Sequence, residues 1–77
     1  MKIVVFDKAD WDGKVVDVPD YTTSYRIARS DLKIDECQIR NYVCERDGVR
    51  KQIKAAVFNE VPSSYLMRAA IKYGTDA

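Results

Sequence analysis

Hydrophobic residues near the start of the chain are grouped as in two strands separated by a turn. Residues 2–6 are a β-branched run that predicts a first strand, and residues 14–18 predict a second strand that stops at Pro19. The segment 10–13 between them combines two aspartates with Gly13, which is the chemistry of a hairpin loop. We therefore expect the chain to begin with two paired strands.

Residues 22–32 fit two different periods. Tyr25, Ala28 and Leu32 have the spacing of one helical face, whereas Tyr25 and Ile27 alternate with polar neighbours as they would in a strand. An aspartate or a threonine that could cap a helix precedes the segment. We expect a short helix or a loop here.

The segment 36–58 predicts a long hairpin. Its centre, residues 45–49, is typical of a type I turn closed by a glycine bulge, in which Glu45 pairs with Val49. This register places most apolar side chains of both strands on one face, and a shift by one residue would invert it. The opposite, polar face then carries Gln38, Arg40, Tyr42, Cys44, Arg50, Gln52, Lys54 and Ala56.

A C-terminal helix is predicted after Pro62, with a serine as its N-cap and Gly74 as its end. The residues that share its apolar face are Leu66, Ala69, Ala70 and Tyr73. Together the elements predict an α+β fold. A small antiparallel sheet of about four strands, including the long 36–58 hairpin, would be packed by the C-terminal helix and possibly by one short helix.

The length of 77 residues fits a single compact domain spanning 1–77. A core of this size is expected to leave no room for a pocket, so that function should reside on a surface. The chain contains no histidine, and no glycine-rich loop resembles a phosphate site. Without histidine there is no ordinary base at physiological pH and no Ser/His or Cys/His pair. We expect a protein that is not an enzyme and holds no cofactor and no metal.

Asp7, Asp10 and Asp12 form an acidic cluster near the amino terminus. The cluster faintly resembles a calcium-binding loop, but Pro19 stands where such a loop requires a bidentate glutamate. We therefore interpret the three aspartates as a secondary acidic patch that could meet a basic partner.

The cysteines and the hydropathy of the chain indicate a cytoplasmic protein. Cys37 and Cys44 are about 23 Å apart in a strand or about 10 Å in a helix, beyond the roughly 7 Å that a disulfide can join. The first apolar run is too short for a signal peptide, and no run approaches the roughly 18–20 residues of a membrane span. We expect free thiols and no membrane association.

The formal net charge of +1 conceals an uneven distribution, because residues 37–74 carry seven basic and three acidic side chains. On the polar face of the hairpin a tyrosine stands among cations and amides. Such a surface suits the acidic surface of a protein partner first and a nucleic acid second, and a merely solvated sheet face is the remaining interpretation. The predicted partner-binding residues are Arg40, Tyr42, Arg50, Gln52 and Lys54.

A second interpretation of residues 27–43 competes with the hairpin. Ile27 and Ala28 could open one helix, Leu32 and Ile34 bracket a turn, and an aspartate could cap a second helix. This pattern resembles the helix-turn-helix family, although one extra residue separates Ala28 from Leu32 and a lysine replaces the usual turn glycine. The resemblance implies that the second helix would read the major groove of DNA through Glu36, Gln38, Arg40 and Asn41.

These observations favour a small, non-enzymatic, protein-binding or regulatory module. Proteins of this length without evident chemistry are typical of phage and mobile-element genes. Their products often inhibit a host machine such as a CRISPR effector, an RNA polymerase or a nuclease by covering part of its surface. The alternative is a small nucleic-acid-binding regulator that uses the 27–43 segment or the basic sheet face. A subunit of a larger assembly is a third possibility.

Overall fold

The computed structural model describes residues 1–7 and 10–77, without the side chain of Asp10. Strands dominate this part of the chain. In chain order the elements are β1 (Lys2–Asp7), β2 (Asp10–Asp17), β3 (Ser24–Ser30), β4 (Lys33–Arg46), β5 (Val49–Val57), α1 (Ser63–Tyr73) and β6 (Thr75–Asp76).

The strands form one mixed sheet in the order β2-β1-β5-β4-β3, and β6 pairs with β5. β1 runs parallel to β5, with Val4 beside Ala55, whereas the other pairings are antiparallel. The expected antiparallel sheet of about four strands, packed by the C-terminal helix and a further short helix, is therefore wrong. The parallel pair joins segments far apart in the sequence, and local patterning gives no signal for such a pairing.

The sheet is curled, and an ion-pair network holds the curl. β3 lies three strand positions from β1, a separation of about 14 Å in a flat sheet. Nevertheless, Nη1 and Nη2 of Arg29 in β3 donate to the carboxylate of Asp7 in β1 at 2.6 and 2.7 Å. The same guanidinium donates through Nε to Asp35 at 2.7 Å and lies 5.7 Å from the centre of the Phe58 ring. β3 therefore folds back toward the central strands.

The short helix expected within residues 22–32 is wrong, because this segment contains the whole of β3. Tyr25 and Ile27 are half-buried while their neighbours Arg26 and Ala28 are exposed, so the strand alternation decides the structure. The helix-turn-helix interpretation of residues 27–43 is wrong for the same reason. That segment consists of the end of β3, a turn, and most of β4.

β4 and β5 do form a hairpin, but its register differs by one residue from the predicted one. Arg46 pairs with Val49 across a two-residue turn in which Asp47 has φ of 52° and Gly48 has φ of 80°. Two left-handed residues are the geometry of a type I′ turn, whose twist matches that of the strands. The predicted type I turn with a glycine bulge is therefore wrong, and Glu45 pairs with Arg50 instead of Val49.

The central strands are covered on both faces. On one face, which we call the helix side, α1 packs on a fully buried cluster. The buried members of this helix-side core are Val4, Phe6, Ile53, Ala55, Ala69 and Ala70. Met67 of the helix is buried as well. Leu66 is half-buried and packs against this core, whereas Tyr73 of the predicted apolar face is exposed.

On the opposite face, which we call the curled side, Ile3, Val5 and Ala56 are buried. They are covered by partly buried side chains instead of by a helix. The partly buried residues that pack against this curled-side core are Met1, Val16, Val18, Tyr25, Ile27, Cys37, Ile39 and Phe58. Tyr25 meets Phe58 edge to face, with ring centres 6.4 Å apart.

The elements at the two ends of the chain agree with the sequence in outline. β1 and β2 pair antiparallel as predicted, but β2 begins at Asp10, so residues 10–13 belong to a strand and not to a turn. The C-terminal helix is confirmed, although no side chain caps its start and Gly74 is extended. Cys37 and Cys44 are both free. No helix within the described residues is long and apolar enough to cross a membrane.

Candidate binding site

The predicted partner-binding face does not form as a single surface. The observed register pairs Arg40 with Ala55 and Tyr42 with Ile53, which places both on the helix side. Successive side chains of a strand project to opposite faces of the sheet. The residues of β5 that alternate with Ile53 and Ala55 therefore lie on the face away from α1. The predicted residues on that other side are Arg50, Gln52 and Lys54. Their role in binding stays a prediction, but the five residues do not act as one patch.

Tyr42, the intended centre of that patch, is half-buried and packs against the helix-side core. Arg40 is exposed and donates from Nη2 to Oε1 of Gln38 at 3.0 Å. Both polar atoms of the Gln52 side chain are hydrogen-bonded. Its Oε1 accepts from Nδ2 of Asn41 at 3.1 Å, and its Nε2 donates to the backbone carbonyl of Asp76 at 3.0 Å. The hairpin therefore does not present an exposed aromatic side chain surrounded by free cations.

The predicted acidic patch is engaged in contacts within the chain. Asp7 accepts two hydrogen bonds from Arg29, and these bonds, with the one to Asp35, raise the pKa of the Arg29 guanidinium. Asp12 accepts from Arg68 at 3.2 Å, and Arg68 also lies over the Tyr65 ring. The Asp10 side chain lies outside the described residues. The two described carboxylates fasten β3 and α1 to the first hairpin.

A cavity of about 1020 Å³ lies where three strands meet. β5 pairs with β6 at Lys51 and Gln52, and with β1 only from Ala55 onward, so neither strand pairs with it at Ile53. The gap between the start of β1 and β6 opens into the cavity. The apolar lining residues are Ile3, Val4, Val15 and Ile53, and the polar ones are Lys2, Asn41, Gln52, Lys54, Lys72, Tyr73, Gly74 and Thr75. The expectation that the chain has no room for a pocket is therefore wrong.

The cavity is rimmed by cations. Lys2, Lys54 and Lys72 are exposed, and none of the described lining residues is a carboxylate. Within the described part of the chain, none of these three lysines forms an ion pair. The nearby Asp76 is already paired, because Lys51 donates to it and lowers the pKa of that carboxyl. The cavity thus combines an apolar floor with three lysines that take part in no ion pair of the described residues.

A smaller cavity of about 270 Å³ adjoins the first and shares Asn41 and Lys54 with it. Its rim includes Arg40 and Tyr21, and the Tyr21 ring is 95% exposed. The one carboxylate in its lining, Asp20, accepts from the Met1 ammonium at 2.8 Å. That ammonium, with a smaller contribution from Lys54, holds the pKa of the Asp20 carboxyl below its ordinary value.

The arrangement can hold an anion. Carboxylate or phosphate oxygens could accept from the three ammonium groups, while an attached apolar group rests on the floor. Among the described residues, no group of three or more histidine, cysteine or acidic side chains is placed to hold a metal ion. Sequence reasoning missed this site because its lysines come from β1, β5 and α1, and only the parallel pairing brings them together.

Two other exposed apolar features lie away from the cavities. Leu32 is fully exposed and Ile34 is 65% exposed at the β3–β4 turn. Trp11 is 42% exposed and meets Tyr65 edge to face at 5.2 Å between ring centres. Comparison of the chain with protein-family models, curated proteins and solved structures found no match.

Proposed function

We propose that this is a non-enzymatic binding protein whose larger cavity receives an acidic, partly apolar segment of a protein partner. The observation that supports this most directly is the rim of Lys2, Lys54 and Lys72 around an apolar floor, in a lining to which the described residues contribute no carboxylate. Neighbouring like charges repel each other, so partner carboxylates would lower the electrostatic free energy of the site.

The apolar floor favours a protein over a nucleic acid. Val15 is 36% exposed, and Tyr73, whose ring is apolar although its hydroxyl is polar, is 42% exposed; both residues line the cavity. A partner side chain that covers them gains about 25 cal/mol for each Å² of apolar surface removed from water. The nucleic-acid alternative no longer has a helix-turn-helix segment to rest on, since residues 27–43 are β-structure, and Tyr42 packs against the core.

The biological role that we infer is inhibition or regulation by covering a partner's surface in the cytoplasm. A domain that offers a binding surface for an acidic protein segment fits a phage or mobile-element inhibitor of a host machine, and we include this role in the proposal. A CRISPR effector, an RNA polymerase and a nuclease are the partner classes that we would test first.

The cavity can be tested with one defined probe, a fluorescent peptide of about eight residues that alternates glutamate and valine and is blocked at both ends. Anisotropy titrations should show that Lys72→Glu and Lys54→Glu each weaken binding by about tenfold, because a favourable charge contact becomes a repulsive one. Lys33→Glu is the matched control, since Lys33 is exposed and lines neither cavity.

Two results would count against the proposal. Equal weakening by all three charge reversals would show that the affinity for the peptide depends on the net charge of the protein and not on the cavity. A single-stranded oligonucleotide that binds more tightly than the peptide, with an affinity that falls steeply as salt is raised, would favour the nucleic-acid alternative.

A further inference from the structure

β4 pairs with β3 along the first part of its length and with β5 along the rest. β3 pairs with it from Lys33 to Gln38, and β5 pairs with it from Ile39 to Arg46 on the other side. Within residues 1–7 and 10–77, no strand lies on the outer side of β4 after Ile39. Residues 41–46 therefore form an open sheet edge, which we call the β4 edge.

The backbone groups that face outward on this edge follow from one hydrogen bond. Ile39 N–H donates to the Thr23 carbonyl at 2.9 Å, on the side of β4 away from β5. Backbone groups of a strand point to alternate sides along its length, so Asn41, Val43 and Glu45 also point away from β5. All three side chains are exposed, and Val43 is 50% exposed.

The basic side chains around the β4 edge favour an acidic binding partner. Arg40 and Arg46 flank it on β4, and Arg50 and Lys54 lie on the adjacent strand, whereas Glu45 is the only carboxylate within residues 40–46. An extended acidic segment complements this surface, whereas a second copy would place the same arginines against each other.

The edge is also continuous with the cavities. Asn41 and Lys54 line both of them, and Thr23, at the point where β3 leaves β4, lines the smaller one. A strand added to the β4 edge would therefore end beside Arg40 and Lys54.

We propose that the β4 edge binds an extended acidic segment of a protein partner by adding it to the sheet as a further strand. This rests on the proposed function, because the same segment would deliver its acidic side chains to the lysine-rimmed cavity. Main-chain hydrogen bonds to Asn41, Val43 and Glu45 supply the binding, and the cations supply the preference for acidic sequence.

The test uses the same glutamate–valine peptide and two variants at one position. Val43→Pro removes an outward N–H that makes no bond to β5, and proline is tolerated at sheet edges, so the hairpin should remain folded. It should weaken peptide binding at least about tenfold, while Val43→Thr, which keeps the N–H, should bind like the parent protein. Slow amide exchange at Tyr42 and Cys44 in Val43→Pro would verify that the β4–β5 pairing survives.

A second measurement varies the probe instead of the protein. Two versions of the peptide are methylated on alternate backbone nitrogens, in complementary phases. In a peptide strand added to the β4 edge, only every second backbone N–H of the peptide points toward β4. Methylation of those nitrogens should abolish binding, whereas methylation of the alternate nitrogens should leave it unchanged. Addition of the parent peptide should also slow amide exchange at Val43 and Glu45.

The outcomes separate this proposal from the cavity. If Lys72→Glu weakens binding but Val43→Pro does not, the edge proposal is wrong and the cavity proposal stands. If Val43→Pro weakens binding but Lys72→Glu does not, the edge stands and the cavity proposal is wrong. Failure of the parent protein to bind the peptide would overturn both. Self-association of the parent protein that Val43→Pro abolishes would assign the edge to a second copy and overturn the acidic-segment proposal.

Discussion

The two faces of the central strands are closed in different ways. On the helix side, α1 covers a cluster in which Phe6, Ala55 and Ala70 have no exposed surface. On the curled side, the cover consists of half-buried side chains such as Tyr25 and Ile27, held down by the hydrogen bonds between Arg29 and Asp7. The helix closes one face mainly by apolar burial, whereas the curled strands close the other with half-buried side chains and the Arg29–Asp7 hydrogen bonds.

The largest expected difference between the two faces is in the free energy of unfolding that is lost when a core side chain is truncated to alanine. Phe6→Ala should lower the free energy of unfolding by about 3–5 kcal/mol, because it leaves a cavity in a fully buried cluster. Ile27→Ala on the curled side should cost about half as much or less, since that side chain is already partly hydrated. Urea denaturation of both variants measures the contrast, and equal losses would show that the curled side is as tightly closed as the helix side.

The next effect distinguishes two glycines with the same backbone conformation. Gly13 and Gly48 both have φ of 80°, but a Cβ on Gly13 would lie 2.4 Å from Cγ1 of Val4, whereas a Cβ on Gly48 would meet nothing within 4 Å. Gly48→Ala should therefore cost only the left-handed backbone penalty of about 1–2 kcal/mol. Gly13→Ala adds an overlap with the helix-side core and should cost about 2–4 kcal/mol. Similar thermal denaturation midpoints for the two variants would contradict the close packing of β2 on that core.

A smaller and more local effect is expected at Arg29. Arg29→Lys keeps the charge but loses the paired Nη1 and Nη2 bonds to Asp7, so β3 should open more often. Amide exchange at Tyr25 and Ile27 should become faster while exchange in β1 stays unchanged. Uniform acceleration throughout the sheet would instead mean that the curled side does not open separately.

The smallest effect concerns pH and the attachment of β6. Lys51 lowers the pKa of Asp76 below its ordinary 3.8, so the ion pair stabilises the folded state above that pH. Its contribution is lost as the pH falls through the lower pKa of the folded state. Asp76→Asn should be slightly less stable than the parent protein near neutral pH, and this difference should vanish once the pH is below the lowered pKa of Asp76 in the folded state.

The control for this pH experiment is Asp31→Asn, since Asp31 is exposed and takes part in none of the ion pairs of the described residues. A difference between Asp76→Asn and the parent protein that persists at low pH would show that the amide substitution acts through something other than the ion pair.

Local patterns predicted the elements that depend on local physics. The β-branched run of β1 and the 3.6-residue period of α1 are both present in the structure. β3 was ambiguous because Tyr25 satisfies both periods, and only burial of Tyr25 and Ile27 against distant strands decides between them. The parallel pairing of β1 with β5 has no local signature, so neither the mixed sheet nor the curl was predictable.

The error in the hairpin register had a signal that could have corrected it. Asp47-Gly48 between two strands is a strong indication of a two-residue type I′ turn, and aspartate tolerates the left-handed conformation that it adopts here. That turn moves Tyr42 to the helix side and divides the predicted binding face. The lysine-rimmed cavity had no comparable signal, because Lys2, Lys54 and Lys72 are brought together by topology alone.

The most direct test of the proposed site is to map amide chemical-shift changes by NMR while the glutamate–valine peptide is added. We predict that the changes concentrate around the larger cavity and along the β4 edge, with the largest at Lys54, Lys72, Thr75 and Val43. Amides near the β3–β4 turn, including exposed Leu32, should not move. Changes confined to that turn, or to the exposed surface of α1 around Arg68, would contradict the assignment of the binding site.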